Sequence, residues 1–199
     1  MKPAAAAAAS AAGVPQRDDP RYERLLRATA KAAAGGYEAV SMRDIARDTQ
    51  MSLASVYRFC SSKDQLIAEA HARAMADMRA QFAKNPPRGA TPLARVTAVL
   101  RRIAGALEVD EARTRALMRA IYSSAAGVSE ARDDAARAYE QMIDAAIGDD
   151  TVADRRVVIA TIGHVIDSAI VNWLSGRYTA RDVRRILEQT ARLLLGPRP

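Results

Sequence analysis

The chain is poor in the residues that most often carry chemistry. Its 199 residues include one cysteine, Cys60, and two histidines, His71 and His164. A lone cysteine excludes an intrachain disulfide and any cysteine-rich metal site, and it suits a reducing cytoplasm. Two histidines in separate segments make neither a metal centre nor a nucleophile–base pair. No Gly-rich phosphate loop is present either. No enzyme activity, cofactor or bound metal is therefore expected.

Aromatic residues are also few, at six Tyr, two Phe and one Trp. No alternating apolar/polar pattern runs beyond four residues. Both shortages argue against β-sheet. Long uninterrupted apolar runs are missing as well. The most apolar stretch, Val157 to Leu174, contains His164, Asp167 and Asn172, which are costly in lipid, so it reads as a buried helix and no membrane partner is expected. The opening Met1-Lys2 and its alanine run mimic a signal peptide. They hold no Leu, Ile, Val or Phe through residue 12, so the hydrophobic content of a true leader is missing.

What the chain does have is alanine, charge and helix punctuation. Apolar residues make up 49% and the net charge is +7. The first 63 residues carry ten Lys/Arg against six Asp/Glu, the denser positive region. Such a surface is drawn to polyanions, either nucleic acid or an anionic membrane. Residues 1–17 read as a flexible Ala-rich tail. Beyond them the expectation is an all-α fold of about nine helices. A smaller unit is expected over 18–63 and a larger helical one over 64–199.

Asp19-Pro20 opens the first helix, whose stripe is Tyr22, Leu25, Leu26, Thr29 and Ala33, and Gly35-Gly36 ends it. Ser41-Met-Arg-Asp44, Ser62-Lys-Asp-Gln65 and Thr179-Ala-Arg-Asp182 read as capping boxes. Ser52 caps a short third helix. A long fourth helix follows, with the stripe Ile67, Ala70, His71, Ala74, Met75, Met78 and Phe82. Later helices are expected over 92–108, 111–125, 130–147, 153–175 and 180–195.

Two short capped helices three residues apart, sharing Ile45, Met51, Val56 and Phe59, have the parts of a helix-turn-helix. In that motif the second helix enters the major groove and presents its early residues to base edges. Its outward face here carries Leu53, Ala54, Ser55, Tyr57 and Arg58.

The segment resembles the N-terminal domain of the TetR/AcrR regulators. The likeness lies in the cap Ser41, Ile45-Ala46, Ser52, Tyr57, Phe59 and Ser62-Lys63, and it covers about residues 20–70. Two positions depart from the pattern: Gln50 replaces the turn glycine and Cys60 the second aromatic. The resemblance implies a double-stranded DNA operator as partner. It implies phosphate contacts from Ser41, Arg43, Tyr57 and Lys63, with Ser52, Leu53, Ala54, Ser55 and Arg58 toward base edges. Plainer readings stand beside these: Tyr57 as a core aromatic, Lys63 as a solvated lysine, Arg58 in a surface ion pair.

The rest of the chain lacks a strong motif. A helix apolar around much of its circumference, as Val157 to Leu174 is, must be covered on all sides. Together with the amphipathic last helix it predicts a homodimer by a four-helix interface, as in the resembled family. The interior of helices four to eight is the expected pocket for a small-molecule effector. Its candidates are His71, Met75, Met118, Tyr122, Tyr139, Thr161, His164, Asp167, Ser168 and Trp173. For His71 a core or hinge role stands beside ligand contact, and His164 and Asp167 have the spacing to pair with each other. GGYEAVSMR, GATPLARV, ALMRAIYSSA and NWLSGRYTARDV resemble the sterol-catabolism repressor branch of the family. That likeness implies a large apolar effector, a sterol or acyl coenzyme A thioester, with Arg101, Arg102, Arg115 or Arg119 near its phosphates. The whole predicts a ligand-released repressor. The alternative is a helical dimeric binding protein without sequence-specific DNA binding.

Overall fold

The computed structural model describes residues 18–197, and the tail assigned to 1–17 lies outside the described residues. Nine α-helices and one short 3-10 turn make up the described chain, with no strand. They are α1 (Pro20–Ala33), the 3-10 turn Tyr37–Ala39, α2 (Met42–Asp48), α3 (Leu53–Phe59), α4 (Lys63–Lys84), α5 (Pro92–Val109), α6 (Glu111–Ile121), α7 (Val128–Ile147), α8 (Arg155–Leu174) and α9 (Ala180–Leu195).

Caps set the starts. The Asp19 carboxylate accepts from the Arg21 backbone N–H at 2.8 Å, and Pro20 needs no partner at the first position. Ser41, Ser52, Ser62, Thr91 and Thr179 each accept from the N–H three residues on. Thr179-Asp182 is a full capping box. Ser62-Gln65 is not, because the Gln65 amide oxygen reaches past Ser62 to the Ser61 N–H at 2.7 Å. Asp44 of Ser41-Asp44 pairs with Arg47 at 2.9 Å. Helix α6 is shorter than its expected 111–125, since the chain turns at Tyr122 and Gly127 takes φ +79 before α7. A Cβ at Gly127 would come 2.4 Å from the Gln65 side chain, so the α6–α7 turn sits directly on the first turn of α4.

Three apolar cores form, and α4 feeds all of them. Leu66 and Ala70 join Tyr22, Leu25, Leu26, Ile45, Val56 and Cys60 in the core of the first three helices. Ile67 packs with Ala33, Val40, Ala116 and Ala120. Ala68, Ala72 and Met75 enter the large core of α5 to α9. The expected single stripe on α4 is thus exceeded. Leu66 to Ala72 is buried continuously because α1, α6 and α7 surround those turns. In the large domain α4 lies along α7, and α5 along α9.

Helix α8 is long and apolar enough to cross a membrane by length and composition. Val158, Ile162, Ile166, Ala169, Ile170 and Trp173 form its buried face. The opposite face remains open: Val157 is 63% and Val171 44% exposed, and Leu193 of α9 is 85% exposed.

Candidate DNA-reading head and effector cavity

Helices α2 and α3 are short and leave little room for error at the turn between them. Met51 N–H donates to the Ala46 carbonyl at 2.9 Å, and Thr49 Oγ1 donates to the Ile45 carbonyl at 2.7 Å. Gln50 adopts φ 56. It occupies the left-handed conformation that glycine would take with less strain. Cys60 is fully buried beneath α3, and Phe59 stacks on Tyr22 with centroids 5.4 Å apart. The ring pair fixes α3 on α1 although the second aromatic is missing.

The exposed side of this head carries the expected residues. Arg43, Ser52, Leu53, Ala54, Tyr57 and Arg58 are exposed, while Ser41 and Ser55 are half-buried. Tyr57, 50% exposed, is no core aromatic, and Arg58 makes no ion pair with a described residue. Ser52 and Ser55 hydrogen-bond each other at 2.8 Å as part of the cap. That ties both hydroxyls to the start of α3. Arg21, at the start of α1, pairs with Asp19 at 2.7 Å.

Lys63 is placed differently from a freely solvated lysine. Its ammonium sits 3.9 Å from the Tyr37 ring centroid and 3.8 Å from Glu38. Arg119 of α6 covers the same ring at 3.8 Å and pairs with Glu38 at 2.9 Å. The Tyr37 hydroxyl donates to Asp64, which also accepts from Ser123 Oγ at 2.6 Å. Burial, then the hydrogen bond to Asp64, push the Tyr37 hydroxyl up to about 12. Tyr37, Glu38, Asp64, Arg119 and Ser123 thus lock the α1–α2 connection to the first turn of α4 and to α6. No local pattern announces this cluster. Asp64 and Ser123 are 59 residues apart.

A cavity of about 600 Å³ lies among α4 to α8, within the roughly 300–1,000 Å³ common for small-molecule sites. His71, Met75, Met78, Ile103, Leu107, Leu117, Met118, Tyr139 and Ile170 line it, with Arg102, Val109, Asp110 and Arg113 among the lining residues nearest solvent. Four of the expected ligand residues therefore meet there: His71, Met75, Met118 and Tyr139. His71 is buried, and desolvation pulls its pKa down to about 4, so the ring is neutral at pH 7. Its Nδ1 lacks a hydrogen-bonding partner among the described residues, a condition that costs about 1–3 kcal/mol. Burial likewise pushes the Tyr139 hydroxyl up.

The remaining candidates lie elsewhere. His164 and Asp167 line a separate groove of about 200 Å³ between α7 and α8. They form no ion pair. Burial raises the Asp167 carboxyl, and His164 and Arg132 partly oppose the rise. Trp173 is buried under the Arg115 guanidinium, 4.8 Å from its ring. Tyr122 is 46% exposed, and neither it nor Thr161 nor Ser168 lines either space. Among the arginines considered for phosphates, Arg102 borders the cavity, whereas Arg101 pairs with Glu188 at 2.7 Å on α9. A search for polar groups overlooks α5, whose contribution to the cavity is mainly apolar. The stripe Val96, Val99, Leu100, Ile103 and Leu107 was nevertheless visible as helical spacing.

A helix-turn-helix head joined through one shared helix to a helical domain with a largely apolar cavity defines a DNA-binding transcriptional regulator. Known proteins give that class a family. A model of the bacterial regulatory proteins of the tetR family matches residues 25–70, and a model of the tetracyclin repressor-like C-terminal domain matches 89–194. The HTH-type transcriptional repressor KstR of Rhodococcus jostii (strain RHA1) is 35% identical over 178 residues, covering 88% of this chain and 83% of that protein. KstR of Mycobacterium tuberculosis is 31% identical over 199 residues, covering 98% and 89%. The chain belongs to the TetR family. In fold it is similar to a TetR transcriptional regulator from Rhodococcus sp. RHA1, with TM-score 0.75 and 22% identity over 88% of this chain and 95% of that one. It is also similar to FadR from Bacillus subtilis in complex with stearoyl-CoA, with TM-score 0.64 and 15% identity over 89% and 100%.

Proposed function

We propose that this chain is a dimeric cytoplasmic repressor that leaves its operator when a long apolar coenzyme A thioester, acyl or sterol, fills the cavity. The observation that carries this reading is the cavity itself: an apolar chamber with Arg102 and Arg113 where it nears solvent. An apolar body would fill the chamber, and the guanidiniums would meet phosphate outside it. The solved FadR complexes hold stearoyl-CoA and lauroyl-CoA, and the KstR relatives are repressors. Their likeness supports the class of effector.

The open apolar faces of α8 and α9, with Val157, Val171 and Leu193, are where a second copy would be buried. A two-fold dimer would set two α3 helices about 34 Å apart, one turn of duplex DNA. Ser41, Arg43, Tyr57 and Lys63 would grip phosphate, and Ser52, Leu53, Ala54, Ser55 and Arg58 would approach the bases. Helix α6 connects the two ends. Met118 faces the cavity and Arg119 the Tyr37–Glu38 junction. A ligand that moves α6 or α4 would move the heads, so effector and operator would oppose each other through one coupling free energy.

The experiment is selection of bound genomic fragments by the purified protein, then titration of the selected duplex complex with stearoyl-CoA, lauroyl-CoA and a sterol thioester. Specific enrichment and release by a thioester are expected. No enrichment over random DNA would leave a helical binding protein instead. Enrichment without release would remove the thioester from the proposal.

A further inference from the structure

Glu38 stands between two cations and holds them unequally. The Arg119 Nη1 donates to its Oε1 at 2.9 Å, while the Lys63 ammonium lies 3.8 Å from its Oε2, too far for a hydrogen bond. Both cations also sit over the Tyr37 ring, 3.8 and 3.9 Å from its centroid. The ring is fixed in turn, because its hydroxyl donates to Asp64, which accepts from Ser123 Oγ at 2.6 Å. Lys63 is the first residue of α4. Its ammonium is thus kept in place by a ring, beside a carboxylate that a second cation already occupies.

We propose that Arg119 is a positioning residue for operator binding: by taking the Glu38 carboxylate, it leaves the Lys63 ammonium to a DNA phosphate. This rests on Lys63 being a phosphate contact. A carboxylate and a phosphate compete for the same N–H donors. The Glu38 side chain is 81% exposed, so no packing would hold it back once Arg119 were removed. It would close the remaining gap to Lys63 and act as an internal substitute for phosphate. The Tyr37 ring does the complementary part, keeping the ammonium at the start of α4. Arg119 acts from α6, 81 residues from Glu38 in sequence, and needs no contact with DNA.

Paired substitutions test this on two probes, the duplex recovered by genomic selection and a random-sequence duplex of equal length. Phosphate contacts act on both. Affinity is measured by fluorescence anisotropy over a range of salt. Exposed ion pairs are individually weak, so Arg119→Gln is expected to weaken binding about three-fold, and Glu38→Gln to strengthen it by a similar factor. Arg119→Gln should also flatten the salt slope, which loss of a merely structural contact would leave alone. In a Glu38→Gln background, and in a Lys63→Gln background, Arg119→Gln should change neither affinity nor slope. Circular dichroism establishes that the variants keep their helices. An Arg119→Gln loss that persists in full in either background overturns the proposal, since Arg119 would then touch phosphate itself or only support the fold. Wild-type affinity in Arg119→Gln overturns it as well. Unchanged affinity and slope in Lys63→Gln remove Lys63 as a phosphate contact, and this role with it. A Lys63→Gln loss that does not couple to Arg119 removes the positioning role alone.

Discussion

The two ends of the molecule use buried space in opposite ways. The head of α1 to α3 is small and filled. Leu25, Val56 and Cys60 are fully buried there, and Thr29 and Thr49 bond to their own helices. The domain of α5 to α9 is larger and, together with α4, leaves a cavity of about 600 Å³ with His71 among its lining residues. A reading surface must be stiff to present side chains at fixed spacing. A sensor must leave room for what it senses. Helix α4 takes part in both, and the Tyr37–Asp64–Ser123 junction is where stiffness in one end meets adaptability in the other.

The largest expected effect breaks the contrast at α4. Leu66 is fully buried in the head core but grows from the shared helix. Leu66→Ala should cost about 2–5 kcal/mol. Denaturant unfolding should show both regions weakened if α4 makes them one cooperative unit. Two separate transitions, with the cavity domain unchanged, would show that they fold independently.

A second change isolates the head. Tyr57→Phe and Lys63→Ala should each weaken operator binding, together by about ten-fold or more, and Lys63→Ala should lower the salt slope by about one. Probe binding in the cavity should not change. Unaltered DNA affinity would mean that Lys63 serves only the junction with Tyr37 and Glu38.

His71→Leu isolates the other end. The folded pKa of His71, about 4, lies below its ordinary 6.5. The unfolded chain therefore binds the proton more readily, and this part of the stability is full above pH 6.5 and lost as pH falls toward 4. Relative to the variant, the wild type should lose about 2 kcal/mol between pH 7 and pH 5. Parallel stability profiles for the two proteins would count against a buried neutral ring. At pH 7 the apo variant should melt no lower than the wild type.

The smallest effect sits in the turn. Gln50→Gly relieves a left-handed residue at φ 56 but loosens the unfolded chain. A net gain of about 0.5 kcal/mol is expected, with cavity binding untouched. A loss of stability would mean that the Gln50 side chain makes a contribution larger than the strain.

Much of the head was legible because its determinants are local. Caps at Asp19, Ser41, Ser52 and Ser62, and apolar positions at helical spacing, specify α1 to α4 within a few residues. An outward Tyr57 and Arg58 follow from the inward Val56 and Phe59. The cavity was half legible. His71, Met75, Met118 and Tyr139 were foreseen as polar or flexible groups on apolar helices. His164, Asp167 and Trp173 carried the same signal and went to another groove or into the core. Periodicity says that a residue faces inward. It does not say whether the space there is filled.

By itself the sequence determined the helices, their starts, and the chemistry offered on the α3 surface, because each depends on residues three or four apart. Only the tertiary structure decided that Leu66 to Ala72 of α4 would be enclosed all round, that Lys63 would lean on Tyr37, and that His71 would border a cavity. Those outcomes depend on how α1, α6 and α7 close around α4 and on α5 lying across the cavity from it. The packing of helices distant in sequence is set by the fit of whole surfaces, which no short stretch of residues contains.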